Sequence, residues 1–375
     1  MRSHVKLGRI FGIEIGLHYS WILIALMIAV SLADLFGSTH PDWGVPVVWA
    51  SALLTALLFF VALVAHELSH SLVAKSQGLP VRSITLFALG GVAQIEGEPA
   101  NAKAEFRMAI AGPIASAAIG AVCLGLAWLF GWRAASSTES PATAVLEWLG
   151  YINLSLAVFN MIPGFPLDGG RVLRSIIWHF NGNAPRSTRI AARVGRAVAV
   201  LFMAAGVVRF AAGAGFGGLW IAFIGWFLFD AAGSSYAAAR LSELLGGVRV
   251  SDLMVRDCPA VEAWTNLQSF VEDNALQTAR FCFLVTSNGE MIGLISPREV
   301  GRFPQAQWRF KTVADVMRPL DGSQTISPDA PISEALETMG REDVNQLPVS
   351  EGGRISGVIS RASVVGFLEA RARRA

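Results

Sequence analysis

The first two-thirds of the chain alternate between long uncharged stretches and short charged ones. A helix needs about 20 apolar residues, within a range of about 17–25, to cross the hydrocarbon core of a bilayer. Candidate spans are Leu17–Ala33, Val45–Ala65, Met108–Trp132, Leu149–Ile162, Ala197–Val208 and Ala211–Phe229. The fifth is short and bounded by Arg196 and Arg209, whose side chains can snorkel toward an interface. Beyond about residue 245 charges return at ordinary density. The change divides the chain into a membrane domain, residues 1–240, and a soluble domain, residues 245–375.

Between the second and third spans lies "LPVRSITLFALGGVAQIEGEP". Its β-prone runs, Ser83–Ala88 and Val92–Glu96, flank Gly90 and Gly91. They predict a small hairpin or paired strands dipping into the protein. Non-helical backbone is tolerated at that depth only where protein or a cavity covers it.

Composition agrees with the hydropathy pattern. Of 375 residues, 53% are hydrophobic and 15% charged, against about 25% charged in soluble chains. A net charge of +2 gives no sign of a nucleic-acid partner. The three cysteines, Cys123, Cys258 and Cys282, form no CxxC pair, so neither a disulfide scaffold nor a cysteine metal site is expected. The first residues, "MRSHVKLGRIFGIEIG", lack the apolar core and cleavage site of a signal peptide. Basic residues cluster before span one, between spans two and three, and between spans four and five; the alternate loops hold one arginine between them. This asymmetry predicts a multi-pass protein of the cell membrane with both termini cytoplasmic.

The soluble part contains a repeat. "VSDLM" at Val250 returns as "VADVM" at Val313, 63 residues on, and "GLIS" at Gly293 returns as "GVIS" at Gly357, 64 residues on. Each copy reads helix (Leu267–Leu276; Ile332–Met339), strand (Phe281–Thr286; Gln346–Val349), strand (Met291–Ile295; Ile355–Ile359), helix. The pattern is an α/β module used twice, over about 245–302 and about 308–371.

The chemistry is concentrated in "VALVAHELSHSLVAKSQG", at the inner end of span two. His66 and His70 are one helical turn apart and share a face. Glu67 is badly placed to ligate beside them but can reach a metal-bound water. This is the HExxH arrangement, with zinc held by the histidines and Glu67 as general base. The same motif also occurs on solvated helix faces. Ionisable residues inside a membrane helix are functional by default, however, and three on one turn make the solvated reading poor. A catalytic zinc site calls for a third protein ligand. Asp168, in "FNMIPGFPLDGGRVLR" beyond span four, is the best candidate, equally readable as a helix-capping residue. Pro163 and Pro166 break the helix before it, and Gly169 and Gly170 allow close backbone approach.

HELSH in one span and N-x-x-P-x-x-P-L-D-G-G in a later one together resemble the site-2 protease family of intramembrane zinc metalloproteases, over about residues 1–235. The resemblance implies one zinc per chain on His66, His70 and Asp168, with Glu67 as catalytic base. It implies that Asn160 steadies the oxyanion, a task an amide donor suits; a helix–helix hydrogen bond is the other reading. It also implies that the strand holding Gly90 and Gly91 lies beside the substrate, where an unwound substrate segment could add by β-pairing; a plain tight turn is the alternative. The implied activity is hydrolysis of a peptide bond within or near a transmembrane segment of a membrane-spanning protein. Family substrates include anti-sigma factors and membrane-tethered transcription regulators.

The repeat resembles a tandem pair of CBS domains, on V-x-D-[LV]-M and G-[LV]-I-S. Such pairs form dimers, and many bind adenine nucleotides, with an acid three residues after the Ser/Thr contacting ribose. Glu299 stands there in the first copy, after Ser296, whereas Ser363 follows Ser360 in the second. The fold expected is thus a polytopic α-helical membrane protein of about six spans with a small β element, followed by a soluble α/β tandem CBS domain. Two other functions fit parts of the sequence: a CBS-regulated transporter or channel, and an inactive protease relative acting as a binding module. The spans are nearly bare of polar residues except at one end, which disfavours a transport path. His66, Glu67, His70 and Asp168 are all present, which disfavours an inactive relative.

Overall fold

The computed structural model describes residues 5–87, 90–95, 97–131, 140–275, 283–319, 325–352 and 354–372. They form two compact units, Met1–Arg240 and Leu241–Ala375.

The first unit opens with a hairpin that the six-span reading does not anticipate. Strands β1 (Val5–Ile10) and β2 (Ile13–Leu17) pair antiparallel. The turn residues Phe11 and Gly12 have φ of 51° and 81°, the left-handed geometry that suits a two-residue hairpin. Helices α1 (Ser20–Thr39) and α2 (Val45–Ser76) follow, and then strands β3 (Val81–Phe87) and β4 (Gly90–Ile95). The sheet order is β1-β2-β3-β4, with β2 parallel to β3 and β3 antiparallel to β4. Gly90 and Gly91 are therefore strand residues, paired with Phe87 and Leu86, and β4 is an edge strand. Ile13, Ile15, Ile84 and Leu86 are buried, and Leu86 packs with Phe60 and Leu63 of α2.

Helix α3 (Ala102–Leu129) starts where the Asn101 side chain accepts from the Ala104 N–H. Helix α4 (Pro141–Asn160) is capped in the same way by Ser140. The two approach closely where Gly120 meets the Gly150 carbonyl, the small residues of α3 letting the backbones come together. A short amphipathic helix, α5 (Asp168–Asn181), precedes α6 (Ala184–Arg209) and, after one π turn, α7 (Phe216–Leu245). Among the described residues six helices are long and apolar enough to cross a membrane. The fifth covers Ala184–Gly213, far beyond the expected Ala197–Val208. Its arginines hide it from a hydropathy reading. Aromatic faces of α7 receive two of them: the Arg196 guanidinium lies 5.3 Å from the Phe229 ring and 5.5 Å from Tyr236, and that of Arg193 lies 5.7 Å from Tyr236.

The second unit runs α8 (Val250–Leu253), β5 (Ala260–Glu262), α9 (Leu267–Phe270), β6 (Phe283–Ser287), β7 (Glu290–Ile295) and α10 (Pro297–Val300). It continues with α11 (Val313–Val316), β8 (Arg318–Pro319), α12 (Ile332–Arg341), β9 (Gln346–Glu351), β10 (Arg354–Ser360) and α13 (Arg361–Ala372). The expected strand start at Phe281 and helix end at Leu276 lie outside the described residues. Two cores form, one around Phe270, Phe283 and Ile295, the other around Ile332, Met339 and Ile359. The leading turns are exchanged. Val250 of the first copy is buried in the second core, and Val313 of the second copy in the first. The repeated aspartates cap these turns: Asp252 accepts from the Arg249 N–H at 2.8 Å and Asp315 from the Thr312 N–H at 2.7 Å. The Thr312 backbone and hydroxyl bonds hold the Asp315 carboxyl below its ordinary range. No disulfide scaffold is expected from the sequence; Cys258 is nonetheless disulfide-bonded, while Cys123 is free. The absence of a spaced cysteine motif does not exclude a single bond. Cys282 lies outside the described residues.

Candidate metal centre

Three elements that are distant in sequence meet at the C-terminal part of α2. His66 and His70 project from one face of α2 and are almost fully buried. Asp168 opens α5, and its Oδ2 lies 3.1 Å from His66 Nε2 and 3.2 Å from His70 Nε2. The two Nε2 atoms are themselves 3.2 Å apart. Asp168 therefore turns into the site, and no side chain caps the helix it opens.

The neighbouring contacts test whether these groups suit a metal. His70 Nδ1 donates to the Met108 carbonyl at 2.7 Å, which leaves its Nε2 lone pair facing the site. His66 Nδ1 lies 2.9 Å from Ser116 Oγ. Partners of this kind on the outer ring nitrogen are what orient zinc-ligating histidines. Nitrogen lone pairs facing each other this closely repel unless a cation lies between them. A tetrahedral zinc with ligands at about 2.0–2.1 Å has ligand–ligand edges of about 3.3–3.4 Å, close to the triangle seen here. The residues fit zinc.

Helix α3, read from the sequence only as a spanning segment, builds the third wall. Met108, Gly112 and Ser116 are successive turns of one face. A Cβ at Gly112 would fall 2.2 Å from His70 Nε2 and 2.6 Å from His66 Nε2, inside the space the ligand atoms enclose. Pro113 withholds an N–H from the Ala109 carbonyl in the turn between the two histidine contacts. Glu105, also on α3 and fully buried, receives Arg171 Nε at 3.0 Å and lies 3.7 Å from Arg174 Nη1. Both arginines belong to α5, so this cluster ties the Asp168-bearing helix to α3.

Glu67 is half-buried and lies against β4: a Cβ at Gly91 would fall 2.5 Å from Glu67 Cγ. The edge strand thus runs flush with the glutamate. Gly169 and Gly170 are required by the loop before α5. A Cβ at Gly169 would lie 2.4 Å from the carbonyl oxygens of Met161 and Ile162. Asn160, the last residue of α4, is half-buried and makes no side-chain hydrogen bond among the described residues. In the second unit Glu299 receives the Ser296 N–H and hydroxyl through Oε2. At the matching place Ser363 instead donates its N–H to Ser360 Oγ.

Apolar spanning helices with two imidazoles and a carboxylate converging beside a glutamate define a membrane-embedded metallohydrolase. Residues 54–137 and 129–202 match the model of Peptidase family M50, and residues 313–370 match the CBS domain. Rip3 of Mycobacterium tuberculosis is 34% identical over 372 residues, which cover 98% of this chain and 94% of that protein. Zinc metalloprotease MJ0392 of Methanocaldococcus jannaschii is 30% identical over 365 residues, 97% of this chain and 96% of that one. The solved structure of the site-2 protease from Methanocaldococcus jannaschii, 31% identical, covers 62% of this chain and 94% of its own, with a TM-score of 0.44. The chain belongs to peptidase family M50, the site-2 proteases. It is an integral membrane zinc metalloprotease with a carboxy-terminal CBS pair.

Proposed function

We propose that the protein cuts a peptide bond within or near a transmembrane segment of a membrane-spanning substrate, close to the cytoplasmic face. The observation that carries this reading is the triangle of His66 Nε2, His70 Nε2 and Asp168 Oδ2, with sides of 3.1–3.2 Å, in the C-terminal part of a helix long and apolar enough to span. These three residues would hold the zinc, which when bound supplies Lewis-acid polarisation of a water and a carbonyl. Glu67 takes the proton of the attacking water and passes it to the leaving amine. The Asn160 amide donates to the carbonyl oxygen as charge develops there.

A peptide bond inside a membrane helix is shielded by its own hydrogen bonds. The substrate must unwind, and its freed backbone groups need partners. Strand β4 has an unpaired edge and passes Glu67 at Gly91 without a side chain in the way, which supports binding of the unwound segment by β-addition. The charge asymmetry of the loops supports cytoplasmic termini. The CBS pair would join two copies or gate access, with one adenine nucleotide at the Glu299 copy. Membrane-held transcription regulators and anti-sigma factors are the substrate class, released by regulated intramembrane proteolysis.

The experiment is a comparison of membrane proteomes from cells carrying wild type or Glu67→Gln. A truncated membrane protein that accumulates only with Glu67→Gln is the expected result. Identical proteomes under conditions where the protein is made would contradict the proposal.

A further inference from the structure

Helix α6 has no acidic residue and carries arginines through its first half, up to Arg193 and Arg196. These two meet α7 where both helices change character. The uncharged run of α6 is Ala197–Val208, and that of α7 is Phe216–Phe229. Close approaches show which residues share a level. A Cβ at Gly206 would fall 2.3 Å from the Ala222 nitrogen, one at Gly225 2.6 Å from the Met203 nitrogen, and one at Gly233 2.9 Å from Arg196 Nη2. The helices are therefore antiparallel, and their apolar runs end within about one turn of the same level.

Arg196 carries its charge at that level without an anion. Its guanidinium lies 5.3 Å from the Phe229 ring and 5.5 Å from Tyr236, and Gly233 gives it room against α7. Its Nε is buried with no hydrogen-bond partner among the described residues. Arg193, one turn earlier, lies 5.7 Å from the Tyr236 ring and donates from Nη2 to the Tyr236 hydroxyl at 3.5 Å. Aromatic faces attract a cation but offer its N–H donors no lone pair. Among the described residues no carboxylate pairs with either arginine. The acids of α7 are Asp230 and Glu243. Asp230 is about a third of a turn round the helix from both rings, and Glu243 is two turns beyond Tyr236, about 10 Å away.

We infer that Arg193 and Arg196, framed by Phe229 and Tyr236, hold the phosphate of an anionic phospholipid headgroup. Ionisable side chains of spanning helices are almost always paired, and this pair has no partner from the chain. The guanidinium fork matches a phosphate, and two forks side by side favour a headgroup without an ammonium of its own. Depth selects the lipid as the source. The arginines border the apolar runs of two helices that are each long and apolar enough to span, and the border of the apolar band is where lipid phosphates lie.

The test is native mass spectrometry of the full chain in detergent, titrated with phosphatidylglycerol, with diacylglycerol of the same acyl chains, and with inorganic phosphate. Wild type should retain phosphatidylglycerol at concentrations where diacylglycerol is not retained, and excess inorganic phosphate should not displace it. R193Q with R196Q should weaken that retention about tenfold or more, as expected for lost charge-assisted hydrogen bonds, while zinc content stays unchanged. Arg209→Gln, at the other end of the apolar run of α6, should leave retention unchanged. Equal retention of diacylglycerol by wild type would overturn the inference, and this comparison decides the matter even if the double variant is not recovered folded. Retention that survives R193Q with R196Q, or that falls equally with Arg209→Gln, would also overturn it. Displacement by inorganic phosphate would assign the site to a soluble anion instead of a lipid.

Discussion

A single methyl group at position 112 would lie within the space bounded by both imidazoles, because an added Cβ comes 2.2 Å from one Nε2 and 2.6 Å from the other. Gly112→Ala is therefore expected to fold and insert but to retain little zinc, read by metal analysis of the purified protein. Ser116→Ala removes only the partner of His66 Nδ1. It should weaken zinc affinity about 10–100-fold, the usual effect of losing such a partner, measured by chelator competition. Glu67→Gln should keep its zinc and lose about 10²–10⁴-fold in cleavage rate. His66, Glu67 and His70 are legible in the sequence because one helical turn sets their relation. Gly112 and Ser116 are not legible, because a stripe of small residues in a span has the same pattern whether it packs a helix or clears a site. Asp168 stands between these cases: Pro163, Pro166 and two glycines mark a special turn, but only the folding of that loop shows which way its carboxylate points.

At the scale of elements, the position of α5 depends on the buried Glu105. The carboxylate is fully enclosed and its main partner, Arg171, is one turn from Asp168. Removing one member of a buried ion pair strands the other, at a cost of about 3–5 kcal/mol. Glu105→Ala should lower the thermal midpoint in detergent and weaken zinc binding together. A Glu105→Ala protein with unchanged midpoint and zinc affinity would show that α5 is held by other contacts. The long apolar helices are readable from hydropathy alone, but α6 is half hidden, since its arginines break the apolar run while aromatic rings of α7 receive them. The β1–β2 hairpin is hidden for the opposite reason. All six residues of β1 are exposed, so no buried face imposes an alternating pattern on them.

For the whole molecule, two units of different solvent are joined by one continuous helix, α7. The repeat of the second unit is legible as a 63–64 residue offset, but the exchange of leading turns is not, because Val250 and Val313 occupy equivalent places in the sequence whichever core receives them. The central claim belongs to the first unit: residues about 100 positions apart in the chain close one zinc site. Zinc content per chain, measured by mass spectrometry on purified wild type and Asp168→Ala, tests it most directly. About one zinc in the wild type and none surviving purification in Asp168→Ala is the expected result. Full zinc occupancy in Asp168→Ala, or none in active wild type, would contradict it.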